Sequence, residues 1–119
     1  YELVLQGKHP IIVEYANDLI ATPGTCLANA SFLREMLVFK KVPIYLEHSI
    51  CEIGDGYVMV KGKDGQTQRI DCDSVVNGIG FVPAPIAPDD KKVHRVGTCE
   101  KWGNLRNVIW GAWDVCMKI

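Results

Sequence analysis

Apolar residues fall into several short runs along the chain, and each run has a period that assigns it an element. Leu3, Val4 and Gln6 suit a helix, and Gly7 is placed for the left-handed residue that ends one, so residues 1–8 read as the end of a helix. Gly7-Lys8 leads into His9-Pro10-Ile11-Ile12-Val13-Glu14, a continuous β-branched run bounded by turn signals, as expected of a strand buried on both faces. Residues 15–24 are polar and irregular, with Pro23-Gly24 marking a turn. A helix is then predicted from about Cys26 to Lys41, capped by Thr25 and stopped before Pro43. Ala30, Leu33 and Leu37 share its inner face, and Arg34 and Lys41 are expected to face water.

From Ile44 the period changes to two. Ile44, Leu46, His48 and Ile50 alternate with Tyr45, Glu47, Ser49 and Cys51 along one predicted strand. Gly54-Asp55-Gly56 turns it into a second strand over residues 57–61, and Gly62 to Gly65 turn that into a third over 66–70, a small meander. Asp73 to Gly80 read as another buried strand, running into a loop that holds Pro83, Pro85 and Pro88. Lys91 to Val96 give a last short strand. Asn104 to Ile119 give a closing helix with Val108, Ile109, Ala112 and Val115 inward. Strands alternating with helices predict an α/β fold: a partial Rossmann-like sheet of parallel strands, with an antiparallel β-meander inserted as a crossover.

The 119 residues suit one domain. With 48% hydrophobic residues, 23% charged and a net charge of −1, no basic stripe invites nucleic acid. No apolar run approaches the roughly 18 residues of a membrane span, and no basic-then-apolar opening marks a signal peptide. The five cysteines (26, 51, 72, 99 and 116) form no CxxC pair. Their odd count and irregular spacing argue against a disulfide framework or a metal site and suit a reducing, cytoplasmic setting, with at least three buried as small apolar groups.

Three features could carry binding chemistry. Glu14, an acid at the tip of a strand that follows a helix ending in Gly-Lys, can accept hydrogen bonds from both ribose hydroxyls of NAD and repel the 2′-phosphate of NADP; a solvated acid at a strand end is the plain alternative. Gly78 and Gly80 either let a cofactor approach the backbone or form a tight turn. Gly97 and Thr98, between a strand and a helix, either offer amides to a ligand or form an ordinary turn capped by Thr98 or Asn104. His9, His48 and His94 show no triad spacing, so no catalytic residue is assigned. Trp110 and Trp113, at helical spacing, are expected to form a docking surface.

Taken in order, Gly7-Lys8, the strand ending in Glu14, the meander, Ser74-Val75-Val76-Asn77-Gly78-Ile79-Gly80 and Val96-Gly97-Thr98-Cys99 with Gly103-Asn104-Leu105-Arg106 resemble the two-dinucleotide-binding-domain flavoproteins. The likeness is greatest to the C-terminal half of the 2,4-dienoyl-CoA reductase, 2-enoate reductase and trimethylamine dehydrogenase family, which includes proteins described as NADH oxidases and NADH:flavin oxidoreductases. The resemblance implies a single truncated dinucleotide-binding domain over residues 1–119, with about 1–80 the NAD-binding part and about 81–119 the return to the FAD-binding part. It implies a parent that binds FAD and NAD(H), with FMN and an iron–sulfur cluster in an N-terminal barrel. Glu14 matches the ribose-binding acid, Gly78 and Gly80 the loop joining the two parts, and Gly97 and Thr98 the glycine–aspartate pair at the FAD ribityl chain. Threonine in place of that aspartate exchanges a carboxylate contact for a weaker hydroxyl one. Alone, the chain is expected to bind neither cofactor tightly and to catalyse nothing. The barrel and FAD-binding segments are its implied partners, and self-association through strand edges or the Trp110/Trp113 face is expected. The other reading is a small α/β interaction module with no redox role.

Overall fold

The computed structural model describes residues 1–21, 24–87 and 90–119. Pro23 and Pro88, read above as turn and loop positions, lie outside them. The chain forms two compact units, Tyr1–Val75 and Val76–Ile119.

In the first unit, α1 (Glu2–Leu5) ends as its sequence predicts. The Lys8 amide donates to the Leu3 carbonyl at 2.9 Å and the Gly7 amide to Val4 at 3.1 Å. Gly7 sits at φ 73, the left-handed geometry this closure requires. Strand β1 (Ile12–Val13) pairs in parallel with β2 (Ile44–Tyr45), Ile12 opposite Ile44 and Val13 opposite Tyr45. Both are half-buried rather than buried on both faces, because this sheet has two strands.

Helix α2 (Leu27–Phe39) makes the crossover between them. Its N-cap is Cys26, one residue later than the expected Thr25. Ala30 and Leu37 are buried on its inner face, as the pattern requires. Arg34, expected to face water, instead pins the loop after β1: Nε donates to the Leu19 carbonyl at 2.7 Å and Nη2 lies 3.1 Å from an Asp18 oxygen. The helix closes with the same pair of bonds as α1, Val42 to Leu37 at 3.0 Å and Lys41 to Val38 at 2.9 Å. Here the left-handed residue is Lys41 at φ 55, not a glycine. A side chain in that conformation costs roughly 1–2 kcal/mol.

The predicted strand from Ile44 to Cys51 is broken in two. Glu47 takes φ 54 and redirects the chain, so residues beyond it leave the parallel sheet and form β3 (His48–Gly54). A bulge between Ile50 and Glu52 then ends the strict alternation. Strands β4 (Tyr57–Gly62) and β5 (Thr67–Asp71) complete an antiparallel meander in the order β3-β4-β5. The two-residue Asp55-Gly56 loop suits the hairpin twist, with Gly56 at φ 76. Val58 and Val60 face the same side and meet Ile70 in the core, where Val13 and Tyr45 of the parallel pair pack against them.

The Tyr57 ring lies where a side chain at Gly54 would be. Its hydroxyl donates to Glu52 at 2.7 Å and its face takes the Arg69 guanidinium at 4.0 Å. The hydrogen bond to Glu52, and then its negative charge, hold the hydroxyl above the usual phenol range. Gly54→Ala should displace this ring and lower stability by about 1–3 kcal/mol, read as a lower thermal midpoint.

In the second unit, α3 (Leu105–Cys116) begins at Asn104 as predicted. The Asn104 side chain accepts from the Asn107 amide, and the Asn107 side chain accepts from the Asn104 amide. Val108, Ala112 and Val115 are half-buried, but Ile109, expected inward, is 59% exposed. The predicted strands at 73–80 and 91–96 do not form. Among the described residues no strand pairs with either run, and without a ladder partner an apolar run has no reason to stay extended. Val76, Ile79, Phe81 and Val82 are therefore exposed.

The expectation of buried cysteines is also corrected. Cys26, Cys51 and Cys116 are exposed, Cys72 and Cys99 are half-buried, and all five are free. Among the described residues no helix is long and apolar enough to cross a membrane.

Candidate functional site

Parallel strands joined by a crossover helix direct their carboxyl ends to one side, and open α/β sheets bind ligands there. In the first unit that side carries Glu14 after β1 and Leu46-Glu47 after β2. The backbone is pinned on both sides: the Glu14 amide donates to Tyr45 at 2.9 Å, and its carbonyl accepts from the His48 amide at 3.0 Å. The Glu14 side chain curls back, Oε1 accepting from the Ala16 amide at 2.9 Å. This bond fixes the carboxylate at the strand tip and, among the described residues, leaves Oε2 without a donor. A half-buried, oriented acceptor at that place fits a ribose diol.

Two further groups border it. Glu47, whose amide donates to Ala16 at 3.0 Å, accepts from Lys63 Nζ at 2.7 Å. That hydrogen bond, and then the Glu47 charge, hold the Lys63 ammonium above the usual lysine range. Lys63 comes from the β4–β5 turn, so the pairing is a tertiary event that no local spacing announces. The Arg34 clamp on residues 18–20 was equally invisible in sequence. Only its helical position, facing a polar loop, hinted at it. His48 is half-buried, with Nδ1 against the Leu46 carbonyl and its ring edge-on to Tyr45, a packed role.

The other candidate positions lie in the second unit. Gly78 and Gly80 are in an exposed irregular segment, with nothing within 4 Å of where a Cβ would stand. Gly80 takes φ 94, so its conformation alone calls for glycine. Gly97 opens a three-residue 3-10 turn, Gly97–Cys99, at φ 69. The space beside it is filled, since a Cβ there would lie 3.1 Å from Val108 Cγ2 of α3. Thr98 is exposed. Gly97 and Thr98 come together only as chain neighbours, and the long helix starts not at them but at Asn104.

No protein-family model and no curated protein matches the sequence. A solved structure does match. It is 6-hydroxypseudooxynicotine amine oxidase (HisD) from Pseudomonas geniculata N1, with a TM-score of 0.63 at 19% identity. The fold is shared. The match covers 98% of this chain and 23% of that one, so this chain spans under a quarter of the amine oxidase's length. The mixed α/β architecture expected from sequence, parallel strands with an antiparallel meander, is thus observed, with its parallel part reduced to one pair, and the fold recurs within a larger protein.

Proposed function

We propose that the chain is a nucleotide-binding piece of a flavin-dependent oxidoreductase, with Glu14 as the acceptor for the adenosine ribose of NAD(H). The observation that carries this reading is the Glu14 carboxylate, fixed by Ala16 at the carboxyl end of a parallel strand with one oxygen open. The shared fold with a segment of an amine oxidase supports the oxidoreductase part, and the flavin part rests on the family that the sequence resembles. In the parent, FAD would meet residues 81–119 and the flavin would carry the hydride chemistry. Of the positions matched to FAD, Thr98 offers an exposed hydroxyl, while Gly97 is already accounted for by Val108.

The sequence contains no G-x-G-x-x-G loop to cradle a pyrophosphate. NADH should therefore bind with a Kd of about millimolar, near −4 kcal/mol. Titration followed by amide chemical shifts should place the largest changes at residues 14–16 and 47–48. Glu14→Gln should weaken NADH several-fold and remove its advantage over NADPH. Shifts that avoid residue 14, or equal affinity of wild type for the two cofactors, would refute the assignment.

The exposure of Trp110 (57%) and Trp113 (58%) on one helix favours a second reading, a surface that docks on another protein or on a second copy. Light scattering that gave a clean monomer at high concentration would remove the second-copy form of it.

A further inference from the structure

The opposite end of the parallel pair carries a different chemistry. Helices α1 and α2 both end there, and each is followed by a basic segment and a proline, Gly7-Lys8-His9-Pro10 and Lys40-Lys41-Val42-Pro43. The Ile12 amide bonds to the Pro43 carbonyl at 2.9 Å, and this register lays the two segments side by side. Between them runs a groove of about 460 Å³, whose lining includes Lys8, His9, Lys40 and Lys41 together with the apolar Val4 and Ile11. No acid lines it.

Three observations favour a ligand over a plain solvated face. First, the ion pairs among the described residues are Arg34–Asp18, Lys63–Glu47 and Arg69–Asp71, and none uses the groove lysines. Among the described residues the Lys40 ammonium meets only the adjacent Phe39 ring, at 5.8 Å. Second, one cation beside a helix C-terminus offsets its dipole, and here lysines crowd two such ends in a unit that is otherwise rich in acids. Third, Lys41 occupies the left-handed position that glycine fills at the end of α1, so a charged side chain is held where the backbone would favour none. Strain of this kind concentrates at binding sites.

We infer that this groove binds a small organic phosphate, the lysines holding the phosphate oxygens and the apolar lining receiving the organic part. Its volume lies within the range of about 300–1,000 Å³ typical of small-ligand sites, and ammonium groups suit phosphate as point charges. The site is independent of Glu14, which lies at the other end of the strands.

The test uses the full 119-residue chain, titrated at constant ionic strength with phenyl phosphate and followed by amide chemical shifts. Saturable changes are expected at Lys8, His9 and residues 40–42, with inorganic phosphate weaker because it leaves the apolar lining uncovered. Lys40→Gln should weaken phenyl phosphate about tenfold, the loss of one charge-assisted hydrogen bond. Lys41→Gly separates binding from structure: it should raise the thermal midpoint, by relieving the backbone, while still weakening the ligand about tenfold. The inference fails if the shifts grow linearly without saturation, if Lys41→Gly leaves affinity unchanged, or if the chain prefers phosphatidylserine vesicles to the soluble phosphate.

Discussion

Val60→Ala should cost the first unit about 2 kcal/mol, and Val60→Asp should unfold it. Among the described residues Val60 is the one side chain with 0% exposure, and the cluster around it is small: Val58 and Ile70, with Val13, Tyr45 and Cys72 packed against it. A core of that size has few contacts to share a loss. Removing the two Val60 methyls leaves a hole between the meander and the parallel pair that neither sheet can close without breaking its ladder. An aspartate there would be a buried charge with no cation in contact, since Arg69 and Lys63 already serve surface partners. Urea unfolding by circular dichroism measures the first change, and collapse of amide dispersion reports the second. Val76→Ala, at a residue 85% exposed, is the control and should be neutral within about 0.5 kcal/mol. A neutral Val60→Ala would show that the two sheets are not packed through this residue.

What could be read from the sequence was local. Gly7 at the end of α1, the inner face of α2, the glycine turns of the meander and the Asn104 cap of α3 each depend on a few adjacent residues, and each was found where expected. Strands at 73–80 and 91–96 were misread because β-branched runs describe what a strand would bury, not whether a neighbour exists to pair with it. The break at Glu47 was hidden because the left-handed residue there is not a glycine, so no breaker signal marks it. The same holds for Lys41. At the candidate site, the position of Glu14 was legible as a strand end, but its bond to Ala16, the Lys63–Glu47 pair and the Arg34 clamp join residues by folding rather than by spacing. The basic groove stayed hidden for the same reason, since Lys8 and Lys41 become neighbours only through the β1–β2 register.

Gly97→Ala should destabilise the second unit by about 2 kcal/mol with no cofactor present. Two terms add: φ 69 disfavours any side chain, and the new Cβ would press on Val108 at 3.1 and 3.2 Å. Among the described residues this unit buries none below the surface, so the contact between the 3-10 turn and α3 is a large share of what holds it. Hydrogen exchange is the suitable measurement, because it resolves each unit separately. Amides of α3 should lose protection in Gly97→Ala, while those of β4 stay unchanged. Adding Val108→Ala should relieve the steric term and leave the backbone term, restoring part of the protection. If Gly97 were instead glycine only to admit a cofactor, Gly97→Ala would leave exchange in the free chain untouched and change nothing but FAD affinity. The filled space beside Gly97 argues for packing, and it moves the weight of the nucleotide assignment onto Glu14.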